Sequence, residues 1–347
     1  MFVCRYIIII HIILKFIKII VLLCYVFHIP VYGRILLNSS YDVSRELFIE
    51  INSDFIKYWK DKCPEDTLVI RQSHAGSTRQ AMAILQGLRA DVVTYNQVID
   101  VQILYERGHL IPEDWQNRLP HRSSPFYSTM AFLVRRGNPK GIYNWYDLTN
   151  EGLKIVFPNP KTSGNGRYTY LAAWNVFLKN NDGNILQTRV WMEKFLKNVI
   201  VFDTGGRAAT STFVDRKQGD VLINFESEIK LVQRQYGSDN YEVIMPTPNI
   251  LVEFPVTWID KNVIRNGTED IARAYLAYLY TPSAQKIITK FGYRVNIADI
   301  MKVYQNRSFE AQLFRIEDQE CGNWNTIMNT HFKRGGELDQ LLSIGRR

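Results

Sequence analysis

From residue 34 onward, short runs of apolar and β-branched residues alternate with stretches of three-and-four apolar spacing, and this alternation constrains the fold more than any other feature of the chain. The β-rich runs fall at 34–38, 68–71, 91–94, 131–134, 154–157, 199–202, 221–225 and 243–245. Between them, sets such as Phe48, Ile51, Phe55 and Trp59, or Ala81, Ile84, Leu85 and Leu88, each line one face of a helix. Strands alternating with helices predict an α/β fold with largely parallel sheets. No repeat, low-complexity tract or Pro/Gly/Ser linker interrupts residues 34–347, so one or two lobes joined by several ordered crossovers are expected. The extended stretches 128–135 and 250–259 are candidates for those crossovers, and a hinge of paired strands lets two lobes close on a ligand. Helical pattern resumes over 266–290 and over most of 310–342.

The first 33 residues differ in kind. They hold Arg5, Lys15 and Lys18, no acidic residue, a nine-residue apolar run at 19–27, and Pro30 before Val31-Tyr32-Gly33. This pattern predicts a secretory signal peptide cleaved before Arg34. A retained anchor over 6–27 is the rival reading, against which two mid-span lysines count. Lipidation at Cys24 is a third, and Leu23 is too large for the small residue expected before a modified cysteine. The leader carries three positive charges and no negative ones, so without it the formal charge falls from +8 to +5. The remaining cysteines, Cys63 and Cys321, form no CxxC and no Cys/His cluster, which argues against zinc, iron–sulfur and redox roles. Two unpaired thiols are expected, with a single bridge as the alternative.

Four places share one local design, an apolar run ending in a small polar or Gly-rich turn with a helix starting at once. They are Asn38-Ser39-Ser40-Tyr41-Asp42, Gln72-Ser73-His74-Ala75-Gly76-Ser77, Pro160-Lys161-Thr162-Ser163-Gly164-Asn165-Gly166 and Asp203-Thr204-Gly205-Gly206-Arg207. Each presents free backbone N–H groups and the positive end of a helix dipole at the carboxyl end of a strand. One such turn is an ordinary helix cap. Four converging on one cleft would form an anion site that needs no cation, at the place where open α/β sheets bind ligands. None is a Walker or dinucleotide motif. His74 lacks the Ser–His–Asp spacing or nucleophile elbow of a hydrolase, and the dispersed basic residues form no stripe for nucleic acid. Arg167 and Arg207, next to two of the turns, are expected to satisfy nearby carbonyls and carboxylates.

The strings LLNSSYDVSRELF, QSHAGS, ADVVTYNQV, PNPKTSGNGRYTYLAAW, FDTGGRAAT, GDVLINFESE and NILVEFPVTWIDKN resemble the periplasmic thiosulfate- and sulfate-binding proteins of ABC importers, in family order and nearly end to end from Arg34. The resemblance implies an α/β, two-lobed type II periplasmic binding protein with hinge crossovers and a ligand cleft between the lobes. It implies that the N–H groups of Asp42, Ser77, Gly164, Asn165 and Gly206 and the hydroxyl of Ser163 hold a dehydrated dianion, without cofactor or metal. Sulfate binders tend to carry Gly at position 165 and Ala at 206, and usually place a donating Trp at 225. Phe225 cannot donate and leaves one oxygen of a tetra-oxo ligand under-satisfied, which favours thiosulfate, whose terminal sulfur is larger and a poorer acceptor. The expected division is 1–33 signal peptide, 34–131 and 255–300 first lobe, 132–254 second lobe, and 301–347 C-terminal helices packing on the second lobe. A periplasmic monomer delivering thiosulfate or sulfate to a membrane permease with its cytoplasmic ATPase is expected, with no nucleic-acid partner. A binder of molybdate or phosphate, or a Ser-dependent ester hydrolase, is the alternative.

Overall fold

The computed structural model describes residues 33–237, 239–304, 313–318 and 322–344. The expected leader up to residue 32, with Cys24 in it, and Cys321 lie outside the described residues. The strands are β1 (Arg34–Ser40), β2 (Leu68–His74), β3 (Val92–Thr94), β4 (Phe126–Ser128), β5 (Met130–Arg135), β6 (Ile155–Pro158) and β7 (Val199–Asp203), then β8 (Val221–Phe225), β9 (Tyr241–Ile244), β10 (Asn249–Ile250), β11 (Val252–Glu253), β12 (Val256–Trp258), β13 (Arg294–Val295) and β14 (Leu313–Phe314). The helices used below are α1 (Arg45–Lys62), α2 (Ser77–Leu85), α3 (Val98–Glu106), α4 (Gly164–Asn180), α5 (Ile185–Lys197), α6 (Gly206–Val214), α7 (Glu226–Tyr236), α8 (Asp260–Asn266), α9 (Glu269–Tyr278) and α10 (Pro282–Lys290).

Two α/β sheets dominate. One has the order β12-β3-β1-β2, with β1, β2 and β3 parallel and β12 antiparallel on its edge. The other has the order β7-β6-β8-β5-β9, in which β6, β7 and β8 are parallel and β5 runs against both β8 and β9. The central strand β8 is buried at all five positions, four of them apolar and the fifth Asn224, as a strand covered by helices on both faces requires. Helix α1 is one-sided, burying Leu47, Phe48, Ile51, Phe55 and Trp59 while its charged residues face out. Helix α4 is buried almost all round, so it is a core helix, with Tyr170 and Trp174 packed against His331 of the C-terminal segment.

A third, antiparallel sheet of order β11-β4-β13 lies between them. The chain passes from β4 to β5 through the single residue Thr129, and from β11 to β12 through Phe254-Pro255, so both expected crossovers are paired strands. A third member, β13, is only two residues long and has no sequence signal of its own. The C-terminal stretch is less helical than its apolar spacing predicts. It holds β14, short helices at Trp324–Ile327 and Met328–Phe332, and Glu337–Ile344, with Gly335 and Gly336 at the break before the last of these. It is tied to the second sheet's layer by Arg189 to Glu337 at 2.6 Å and Lys161 to Asp339 at 2.8 Å. Cys63 is a free thiol.

Candidate anion-binding site

Every turn singled out above stands at the carboxyl end of a strand. After β1 the chain makes a short 3-10 turn at Asp42–Ser44, after β2 it enters α2 at Gly76-Ser77, after β6 it enters α4 at Ser163-Gly164, and after β7 it enters α6 at Gly205-Gly206. None of these helix starts has a side-chain cap, although Ser163 sits at the N-cap of α4 with a hydroxyl able to supply one. Helices α5 and α10, elsewhere in the fold, are capped by Asn184 and Thr281 in the ordinary way. Buried N–H groups are costly without an acceptor; the Asp42 carboxyl faces the amides of Asp42, Val43 and Arg207, whereas the starts of α2 and α4 have no acceptor from their own N-cap side chains.

The turns meet. A Cβ placed on Gly164 would lie 2.6 Å from Asn96 Oδ1, one on Gly76 3.6 Å from the Thr162 carbonyl, and one on Gly205 2.6 Å from Asp42 Oδ2. A Cβ on Gly206 would lie 3.2 Å from Val43 and 3.3 Å from Asn165 Nδ2. Residues from both large sheets therefore close on one place, where Ser77, Ser163, Gly164, Asn165, Gly206 and Phe225 are all buried. Gly166 is obligatory for a separate reason, since any Cβ there would run into the Pro158 carbonyl.

Two further pieces escaped the sequence reading. Tyr95-Asn96-Gln97 forms a fifth strand-to-helix turn, from β3 into α3, also without a side-chain cap. Its only local signal is the position of Asn and Gln before an apolar helix, with no glycine to mark it. Asn96 Oδ1 lies 2.6 Å from the Ser77 hydroxyl, which also reaches Asp100 Oδ2 at 2.5 Å. Asn224 is the second. Its Nδ2 donates to the Gly206 carbonyl at 3.0 Å, and its Oδ1 accepts from Phe225 N at 2.8 Å and from Asn165 Nδ2. That network fixes the orientation of both amides and leaves Asn165 Oδ1 buried without a partner. Phe225 places its ring against Tyr168 and Phe254, at centroid distances of 6.3 and 5.5 Å.

The cations beside the turns are already engaged. Arg167 donates to Gln97 Oε1 at 2.6 Å, Thr78 Oγ1 at 3.0 Å and the Lys161 carbonyl at 3.3 Å, and lies 3.7 Å from Asp100. Arg207 reaches Glu46 on α1 at 3.0 Å and Glu228 on α7 at 3.4 Å. Burial pushes the Glu228 carboxyl up to about 7, with Arg207 opposing that rise. Burial likewise raises the Asp42 carboxyl, against the amides of Asp42, Val43 and Arg207 that face it. His74 is held between the Tyr41 carbonyl and Gln72 Oε1, and burial lowers its pKa. Among the described residues no group of three or more His, Cys, Asp or Glu could hold a metal ion.

Comparison with known proteins points to one family. The family model for bacterial extracellular solute-binding proteins matches residues 45–294. A thiosulfate-binding protein of Escherichia coli (strain K12) is 59% identical over 90% of this chain and 92% of its own. A thiosulfate-binding protein of Pseudomonas aeruginosa is 43% identical over 89% and 92%, and a sulfate-binding protein of E. coli K12 is 44% identical over 88% and 92%. Among solved structures, the sulfate-binding protein SubI of Mycobacterium tuberculosis superposes with a TM-score of 0.73 at 23% identity, covering 87% of this chain and all of its own, and so shares the fold. A ferric binding protein of Campylobacter jejuni shares it more distantly, with a TM-score of 0.58 at 14% identity over 89% of this chain and 98% of its own. With a fold of two α/β lobes on hinge strands and with relatives that match it nearly end to end, this chain belongs to the bacterial extracellular solute-binding proteins, in the group that contains the thiosulfate- and sulfate-binding proteins.

Proposed function

We propose that this protein captures thiosulfate, and with it sulfate, in the periplasm and delivers it to an ABC importer for sulfur assimilation. The observation that carries the reading is the meeting of uncapped helix N-termini from both lobes at one buried place, with the neighbouring arginines spent on other partners. The donors are the N–H groups of Asp42, Ser77, Gly164, Asn165 and Gly206 and the Ser163 hydroxyl, with Phe225 lining the side where a sulfate binder would donate from Trp. About six bonds to a charged acceptor at about 1.5 kcal/mol each give roughly 9 kcal/mol gross. Bonds to a charged group run up to about 3 kcal/mol each, so towards that end of the range binding near the micromolar level remains after a cost of about 4 kcal/mol or more for ligand ordering and lobe closure.

The same reading takes residues 34–131 and 255–300 as the first lobe, 132–254 as the second, 301–347 as an appendage of the second, and 1–33 as the export signal. It makes the protein a monomer whose closed form is recognised by the permease of an importer with a cytoplasmic ATPase. It involves no bond breaking: the Ser77 hydroxyl is turned to Asn96 and Asp100, and His74 to Tyr41 and Gln72, so neither forms a nucleophile–base pair. Calorimetry with thiosulfate, sulfate, molybdate and phosphate tests the reading. Thiosulfate is expected to bind tightest, and phosphate, which needs an acceptor for its proton, to bind poorly if no carboxylate faces the ligand; no oxyanion binding at all would defeat it.

A further inference from the structure

Helices α2 and α3 start at the cleft and end at the far side of the first sheet, where the chain turns at Gly87 and Gly108. Between these turns and α8 opens a cavity of about 540 Å³. Its floor includes Leu85, Leu88 and Leu110, and around it stand Arg89, Arg107 and Arg265. All three arginines are exposed, and among the described residues their guanidinium groups have no hydrogen-bond or ion-pair partner. The nearby acids are not free to supply one. Asp270 is held by Arg34 at 2.8 Å, Glu269 by Arg273 at 2.8 Å, and Glu106 accepts from Gln102 and Asn325. Asp91 accepts from Leu37 N, Asn266 and Thr268.

Two neighbouring facts narrow the occupant. Ile264, next to Arg265 on α8, is 71% exposed and lines the adjoining hollow with Val263, Gly267 and Asp270. Arg34, the first residue after the cationic and apolar segment 1–33, donates to Asp270 and, at 3.5 Å, to the Gly267 carbonyl two residues beyond Arg265. The chain therefore enters its fold beside this cavity, on the end of the lobe away from the anion cleft.

We propose that this face docks on an anionic phospholipid bilayer, with Arg89, Arg107 and Arg265 taking headgroup phosphates and Ile264 and the leucine floor taking the apolar edge of the lipid. Guanidinium forks match phosphate oxygens two at a time, and basic groups set beside apolar ones suit the interface of an anionic bilayer. Docking there holds the protein at the surface that carries the importer and leaves the cleft, at the other end of α2 and α3, open. The inference does not depend on which oxyanion the cleft binds.

Vesicle flotation with the chain from Arg34 onward, free of the apolar and cationic segment 1–33 that would bind anionic vesicles by itself, tests it, comparing phosphatidylcholine alone with phosphatidylcholine containing one quarter phosphatidylglycerol. The parent is expected to prefer the anionic vesicles, with the preference fading at high salt. Replacing Arg89, Arg107 and Arg265 together by Gln is expected to reduce that preference by roughly 100-fold, about fivefold for each arginine, and Ile264→Ser to weaken it further. Calorimetric thiosulfate binding and the melting temperature of the triple variant should match the parent, because none of the three positions touches the cleft or the core. Equal binding of the parent to both vesicles, or a triple variant that keeps the preference, overturns the proposal. Release of the parent from anionic vesicles by millimolar inorganic phosphate, at constant ionic strength, would also overturn it by making the site one for a free oxyanion.

Discussion

Replacing Gly164 by Ala probes a close contact across the cleft. The added methyl would stand 2.6 Å from Asn96 Oδ1 and 2.8 Å from Gln97 Cγ, where ordinary contact begins near 3.4 Å. Neither neighbour can step aside freely. Asn96 is held by the Ser77 hydroxyl at 2.6 Å, while Gln97 donates to the Gly164 carbonyl at 3.3 Å and accepts from Arg167 at 2.6 Å. Relief requires a withdrawal of roughly 0.8 Å along this contact, and overpacking of that kind costs about 1–3 kcal/mol. Because the clash runs between lobes, the cost falls on closure, and affinity for thiosulfate should drop by about 5- to 150-fold. The backbone N–H is unchanged by the substitution, so the loss is not that of a donor. Calorimetry measures the affinity, and thermal unfolding without ligand should show a melting temperature close to the parent's. Gly76→Ala is the control, since its methyl would meet only the Thr162 carbonyl at an ordinary 3.6 Å, and it should bind within about twofold of the parent. If Gly164→Ala binds as tightly as Gly76→Ala, the lobes do not meet at Gly164 in the loaded state and the reasoning fails.

Three further outcomes are expected. Phe225→Trp adds an indole donor and should raise affinity for sulfate relative to thiosulfate in paired titrations; an unchanged ratio shows that Phe225 does not set the preference. Gly206→Ala should be tolerated better in an Asn165→Gly background than alone, because its methyl meets Asn165 Nδ2 at 3.3 Å, and a double-mutant cycle on binding should give a coupling of about 1 kcal/mol, with additivity as the contrary result. Glu228, with its carboxyl at about 7 against an unfolded value of 4.5, keeps a proton in the folded state that the unfolded chain has lost. Folding is thus favoured by this group at low pH, and the advantage of about 3 kcal/mol is lost as pH rises from 4.5 through 7. Urea unfolding at pH 5 and pH 8 should show the parent losing more stability than Glu228→Gln over that interval, and parallel losses would refute the assignment.

Much of the molecule can be read without coordinates because the signals are local. An apolar run followed by Ser or Gly and then by helical spacing marks where β1, β2, β6 and β7 hand over to a turn, whatever the rest of the chain does. The strands run further than their apolar residues suggest, as Ser39↔Ser73 and Ser40↔His74 show in the register of β1 with β2, since backbone pairing continues where side-chain pattern stops. Asn96-Gln97 and Asn224 were missed because an amide before a helix or inside a strand carries no distinctive pattern, and β13 because two residues are too few to hold a period.

What local pattern leaves open is direction. Residues 42, 77, 164 and 206 each advertise free N–H groups, but whether those groups point to one spot depends on how two sheets, separated in sequence and joined by hinge strands, are turned toward each other. The same packing decides that Arg167 and Arg207 are drawn to Gln97, Thr78, Glu46 and Glu228 rather than to a ligand, and that Asn165 rests on Asn224 beside Gly206. Turn chemistry is a property of a few neighbouring residues, whereas convergence is a property of the assembled lobes, because no short segment contains the partners that orient it.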